Sequence, residues 1–171
     1  MNDVRWTAKQ AADLVINALR TPDGRISYPI DPVTIARDLG INVYSAKLDN
    51  SLSGMIVKAS ANDGAEIFLN SEHAPVRQRF TCAHELGHYF HNFTPDGERM
   101  ETYLHRRDAR SACGTHSEEI YANQFAANLL MPSEVVKDLA VIHGNAVSIA
   151  DSLQVSLDAI GIRLNSLGIR V

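Results

Sequence analysis

Residues 84–88 read His84-Glu85-Leu86-Gly87-His88, two histidines four positions apart with a glutamate between them. On an α-helix, His84 and His88 lie one turn and about 40° apart, so both imidazoles could bind one metal ion. Glu85 lies beside them, where its carboxylate could take a proton from water that the metal activates. The spacing therefore predicts a catalytic metal site with zinc as the cofactor and Glu85 as the general base.

The helix that carries this pattern is predicted from about Ala74 to Asn92 and has two distinct faces. His91 lies about 20° from His84, so three histidines share one face, where an ordinary amphipathic helix would place Lys, Glu or Ser. The alternative interpretation is a set of surface or core histidines without a metal, and the shared face favours the metal site. The opposite face is apolar and holds Cys82, Leu86, Tyr89, Phe90 and Phe93.

A catalytic zinc site needs a third protein ligand, and a second predicted helix over residues 118–131 offers Glu118 and Glu119. Glu119 has Asn123 one turn later, where the amide could hold a ligand histidine in place. Glu118 has Ala122 in the equivalent position. We therefore predict Glu119 as the third ligand and Asn123 as the residue that orients a ligand, and we interpret Glu118 as a carboxylate that favours the helix dipole.

A catalytic metal site can use a further side chain to stabilise negative charge that develops in the reaction. Two histidines are candidates for this catalytic role: His91 because of its helical face, and His116 because it precedes Glu119 closely. Tyr89 and Tyr121 are predicted to be core residues because both fall away from the metal-binding faces of their helices.

The remaining elements predict an α+β fold with a small three-stranded sheet packed on helices. Residues 93–116 are predicted as a long functional or mobile loop, and the last forty residues as short helices broken by Gly144 and Gly161. We expect one domain over residues 1–132, including the N-terminal helix, and a helical extension over 133–171 packed on it. The strand AEIFLN could offer an edge to an extended substrate. The other predicted elements are helices over 3–20 and 32–39 and strands over 41–46, 53–59 and 65–70.

Two segments together carry a specific family resemblance. RFTCAHELGHYFH (79–91), followed by EEIYANQFAANLLMP (118–132), resembles the ImmA/IrrE family of zincin-like metallo-endopeptidases. AEIFLNSE and PIDPVTIARDLGINVYSA are also similar to that family, so the resemblance extends over roughly residues 26–132. It implies a zincin-like fold, zinc ligation by His84, His88 and Glu119, and Glu85 as the base. The length of 171 residues favours the short, ImmA-like form.

The resemblance also implies a protein partner. Relatives of this kind are often encoded beside an XRE-type helix-turn-helix repressor, which some of them cleave, and others act in toxin–antitoxin pairs. The expected function is therefore a zinc-dependent endopeptidase that cleaves such a repressor or antitoxin. The alternative is a zincin-fold toxin or interaction module that binds a cognate antitoxin or regulator with little hydrolysis.

Composition and charge argue against nucleic-acid binding, secretion and membrane contact. Sixteen Lys and Arg against twenty Asp and Glu give a net charge of −4, which argues against direct nucleic-acid binding. The segment VSIADSLQVSLDAIGIRLNSLGI resembles a helix-turn-helix. Residues 133–171, however, hold three basic and four acidic residues, and phosphate contacts need the opposite balance. We therefore predict that this segment packs on the rest of the domain or docks a protein. With two cysteines, no long apolar run and no signal-like N-terminus, we expect a cytoplasmic protein that does not contact membranes.

Overall fold

The computed structural model describes residues 6–58, 64–92 and 117–171, together with the backbone of 103–108. Within these residues, seven α-helices and four β-strands follow one another. None of the described helices is long and apolar enough to cross a membrane. In chain order the elements are α1 (Ala8–Ala18), α2 (Pro32–Asp38), β1 (Asn42–Ala46), β2 (Leu52–Lys58), β3 (Glu66–Asn70), α3 (Pro75–His91), β4 (Tyr103–Asp108), α4 (Ser117–Leu130), α5 (Ser133–His143), α6 (Ala146–Leu153) and α7 (Leu157–Ser166).

Side-chain caps fix where the first two helices begin. Thr7 and Gln10 bond each other's backbone N–H groups, so α1 starts at Ala8, several residues later than its apolar spacing predicts. Asp31 accepts the N–H of Val33 at 3.0 Å, and proline occupies the first position of α2, as the sequence predicts. These contacts satisfy backbone donors that the first turn of a helix leaves unpaired.

The three predicted strands are confirmed as β1, β2 and β3, and they belong to a sheet with the strand order β1-β3-β2-β4 in the described part of the chain. β1 and β3 are parallel, whereas β2 is antiparallel to both of its neighbours. The prediction of a loop over 93–116 was wrong for β4. The sheet therefore has four described strands rather than three, and the fourth forms by backbone pairing with β2.

β3 lies in the interior of this sheet. Ile67 pairs with Val43 on one side and with Ile56 on the other. Of the two interpretations of AEIFLN, a free edge for a substrate or an ordinary sheet strand, the structure shows the second, because both edges of β3 are paired within the sheet. Among the described strands, β1 and β4 occupy the outer positions.

α3 packs against the sheet through β2 and against α4 on another side. Contact with β2 is close, since a Cβ added to Gly54 would lie 2.5 Å from Cγ2 of Thr81. The packed apolar side chains form one continuous core, which holds α3 rigidly between the sheet and α4. Its large, fully buried members include Ile56, Ile67, Leu86, Phe125 and Leu129.

Three helices form the C-terminal region. Gly144 ends α5 with a φ of +64°, as predicted, but Gly161 lies inside α7, so the predicted break there was wrong. The chain instead turns at Gln154, whose φ is +51°. This region bonds the preceding helices: Arg163 Nε donates to the Met131 carbonyl at 2.9 Å, and Arg79 Nε donates to the Gln154 carbonyl at 3.3 Å.

Candidate metal centre

The backbones of α3 and α4, the two helices that carry the site, approach each other unusually closely at Gly87. A Cβ added there would lie 2.7 Å from Cα of Ala122 and 3.0 Å from its carbonyl oxygen. Both of these atoms are backbone, so they cannot move aside as a flexible side chain could. The glycine in the sequence His84-Glu85-Leu86-Gly87-His88 therefore lets two helix backbones come together beside the histidines.

This approach brings the three predicted ligands together. His84 Nε2 and His88 Nε2 lie 3.1 Å apart, and each lies 3.2 Å from an oxygen of the Glu119 carboxylate. All three side chains are buried, with exposed fractions of 0%, 1% and 8%. Within the described residues, they form a cluster whose ligand atoms could hold a metal ion.

The spacing of these atoms fits a tetrahedral metal ion. Zinc binds histidine nitrogen and carboxylate oxygen at about 2.0–2.2 Å, which puts two ligand atoms of a tetrahedron about 3.3–3.5 Å apart. The observed separations of 3.1–3.2 Å are close to that edge length. Two imidazoles and one carboxylate also form a donor set that catalytic zinc sites use, with the fourth position left for water or substrate.

The imidazoles also control the charge of Glu119. Burial alone would raise the pKa of its carboxyl group, but hydrogen bonds and charge from His84 and His88 outweigh burial and hold that pKa well below its ordinary value. The carboxylate is therefore ionised at neutral pH. An ionised carboxylate is the form that binds a metal cation.

Asn123 contacts the opposite side of His84. Its Oδ1 lies 2.9 Å from His84 Nδ1, one helical turn after Glu119 on α4. An amide oxygen only accepts hydrogen bonds, so the contact requires a proton on Nδ1. The hydrogen bond to Glu119 uses the ring with a second proton on Nε2, whereas metal binding uses the neutral ring, whose Nε2 then presents its lone pair to the cluster.

Glu85 is fully buried beside the ligands on α3. The apolar side of the same helix holds Cys82, which is also fully buried. Burial above all, together with the nearby charge of Glu85, raises the pKa of the Cys82 thiol to about 12. Cys82 therefore belongs to the packed core, as its helical position predicts.

The other predicted site residues occupy different surroundings. His91 is partly buried and packs edge-on against the ring of Tyr121, with ring centroids 4.9 Å apart. Tyr89 is buried in the core as predicted, whereas Glu118 is exposed. His116 lies outside the described residues.

Sequence reasoning missed the role of the Gly87–Ala122 contact. Ala122 was not paired with Gly87, yet its small size is what α3 requires at this point. A signal was present, because an isolated glycine inside a helix lowers helix propensity and is usually kept for packing or function.

An α+β fold that places a His-x-x-x-His helix and a glutamate helix around one buried cluster is zincin-like. The chain matches the model of the peptidase M78 family, described as the IrrE N-terminal-like domain, over residues 36–165. It belongs to this family, which confirms the resemblance seen in its motifs. The family and the buried cluster together indicate a metallopeptidase. No curated protein matches the chain.

Proposed function

We propose that this protein is a zinc-dependent endopeptidase. The observation that carries the proposal is the buried His84–His88–Glu119 cluster, with neighbouring ligand atoms 3.1–3.2 Å apart, in a chain of the peptidase M78 family. The proposed ligands are His84 Nε2, His88 Nε2 and the Glu119 carboxylate. Zinc is the proposed metal because its coordination number and bond lengths suit this donor set.

Each residue around the cluster has a distinct proposed task. Zinc held there would polarise the substrate carbonyl and lower the pKa of a coordinated water molecule. Glu85 would take a proton from the attacking water and pass it to the amine that leaves when the peptide bond breaks. Asn123 would keep His84 in the tautomer that presents Nε2 to the metal.

The residue that stabilises the developing oxyanion is a separate proposal. His91 follows His88 on the same helix and is partly buried, and His116 precedes Glu119 in the sequence. Replacing the histidine that has this role by alanine should lower kcat while zinc content stays constant. A histidine whose alanine variant keeps the parent kcat has no such role.

The proposal is tested with matched glutamate variants. Glu85→Gln should abolish peptide hydrolysis and retain one zinc per chain, because glutamine keeps the shape of the side chain but cannot accept the proton. Glu119→Gln should lose zinc and activity, whereas Glu118→Gln, one residue earlier and exposed, should keep both. Elemental analysis and hydrolysis of a denatured protein substrate measure the two properties. Full hydrolysis by Glu85→Gln would refute Glu85 as the general base, and a zinc-loaded unmodified chain without any hydrolysis would refute the peptidase proposal.

We infer from the family resemblance that the substrate is a partner protein, a helix-turn-helix repressor or antitoxin. The net charge of −4 supports recognition of a protein rather than direct binding to nucleic acid. The test is to incubate the zinc-loaded chain with the regulator from the adjacent reading frame. Specific cleavage supports the endopeptidase, whereas a stable complex without cleavage supports the alternative of a binding module.

A further inference from the structure

A largely apolar groove of about 680 Å³ lies between the first half of α3, the second half of α4, and α7. Its walls therefore come from both helices of the candidate metal centre and from the C-terminal region. The larger apolar side chains that line it are Val76, Phe80, Met131, Val155 and Ile162, with the smaller Ala127 and Ala159 beside them.

Asn123 lies between the groove and His84 of the candidate metal centre. This residue lines the groove, and its Oδ1 also lies 2.9 Å from His84 Nδ1. On α3, Phe80 lies one helical turn before His84 and faces the same groove. A peptide segment seated in the groove would therefore be separated from the proposed metal position by two side chains, Asn123 and the imidazole of His84.

The outer wall of the groove leaves apolar surface in contact with water. Ile162 is 74% exposed and Val76 is 36% exposed. Covering such side chains with another apolar group is favourable because it removes apolar surface from water. Arg77 and Asp158 contribute one charge of each sign to the lining, so their charges balance. The apolar side chains therefore determine which ligand groups the groove binds.

α7 has a composition that suits this role better than contact with DNA. Its one basic residue, Arg163, is directed inward, where Nε bonds the Met131 carbonyl and Nη2 bonds Asn128 Oδ1 at 3.0 Å. Ile162 and Asp158 instead line the groove. α6 and α7 therefore follow one another as the two helices of a helix-turn-helix do. The second helix, however, presents apolar and acidic side chains, whereas phosphate contacts need basic ones.

We propose that this groove binds large apolar side chains of the substrate protein on the Asn123 side of the metal centre, with Ile162 of α7 as its outer wall. The inference rests on the proposed peptidase function and adds a substrate preference to it. It assigns the C-terminal region a direct part in substrate recognition.

The experiment measures peptide binding separately from hydrolysis. The full chain with Glu85→Gln, loaded with zinc, is titrated with short fluorescein-labelled peptides whose central pair of residues is Leu, Ile, Phe or Met. Matched peptides carry Ser at both positions, and fluorescence anisotropy reports binding. We expect the apolar peptides to bind at least about tenfold more tightly than the Ser peptides.

Two variants then locate the binding surface. Ile162→Glu in the Glu85→Gln background should remove the apolar preference, and the milder Ile162→Ser should reduce it. Val141→Glu is the matched control, because Val141 is 88% exposed on α5 and is not part of the groove lining. Zinc content and circular dichroism of all variants should match the parent. Equal affinity for apolar and Ser peptides, or an unchanged preference in both Ile162 variants, would overturn the inference.

Hydrolysis of the same peptides by the unmodified chain separates the two proposals. Binding through the groove without any cleavage would refute the peptidase proposal and leave the groove as a binding site. Cleavage that is indifferent to the central residues would refute the groove and leave the peptidase proposal standing.

Discussion

Replacing Gly87 by alanine tests whether the close helix approach builds the metal centre. The added Cβ would lie 2.7 Å from Ala122 Cα, about 0.7 Å inside the 3.4 Å at which ordinary contact begins. α3 and α4 would have to separate by a comparable distance. Metal–ligand distances tolerate shifts of only about 0.2 Å, so Glu119 would no longer reach the ion together with His84 and His88.

Two opposing effects set the expected change in stability. Alanine favours a helix interior over glycine by about 1 kcal/mol, whereas overpacking a tight contact costs about 1–3 kcal/mol. Gly161→Ala is the matched control, because a Cβ there has nothing within 4 Å and Gly161 also lies inside a helix. We expect the free energy of unfolding of Gly87→Ala to be lower than that of Gly161→Ala by about 1–3 kcal/mol.

The assay combines urea denaturation with zinc titration against a competing chelator. Gly87→Ala should bind zinc about 10–100-fold more weakly, and Gly161→Ala should bind it normally. Adding Ala122→Gly should not restore affinity, because the closest atoms to the new Cβ are Cα and the carbonyl oxygen of residue 122. If Gly87→Ala gained stability as Gly161→Ala does and bound zinc normally, the proposed role of the contact would be wrong.

Three further predictions concern the same region. Asn123→Ala should weaken zinc binding about 10–100-fold by releasing His84, as measured by chelator competition, and an unchanged affinity would exclude an orienting role. Zinc at about 100 times its dissociation constant should stabilise the metal-free chain by about 2.7 kcal/mol in thermal denaturation, and Glu119→Gln should lose most of this gain. Iodoacetamide should leave Cys82 unlabelled in the native protein and label it in urea, because burial raises the pKa of the thiol to about 12. Rapid native labelling would contradict that packing.

The local elements and the residues of the candidate metal cluster were accessible from sequence because their determinants are local. The His84–His88 spacing indicates one helical face, and the pairing of Glu119 with Asn123 follows from a single turn of α4. The cap at Asp31 and the left-handed Gly144 likewise mark helix ends by residue type alone. For these features, the nearest few residues contain the necessary information.

Features that depend on distant residues were missed. The sequence of β4, Tyr-Leu-His-Arg-Arg-Asp, lacks the alternation of a half-buried strand, and its pairing with β2 comes from tertiary context. The sheet order that encloses β3 is equally nonlocal. Gly161 was read as a helix break because glycine disfavours helices, yet α7 continues through it and the chain turns at Gln154. The apolar groove combines three helices and has no signature in any one of them.

The contact between α3 and α4 gives a geometric reason for the choice of Glu119 over its neighbour. His84 lies three residues before Gly87, and Glu119 lies three residues before Ala122, so each is about 60° around its helix from the contact. α3 and α4 run in opposite directions here, because Phe80, before His84, shares a groove with Ala127, which follows Asn123.

When two helices are antiparallel, residues that are rotated in the same sense away from the contact lie on the same side of the helix pair. Positions one residue after the contact, His88 and Asn123, lie on that side as well, at about 100°. Glu118 is four residues before Ala122 and is rotated about 40° in the other sense. It therefore points away from the histidines and remains exposed, while Glu119 is buried between them. A one-residue change in the register of Ala122 against Gly87 would exchange the two glutamates, which is why this small-residue contact is as important to the site as its ligands.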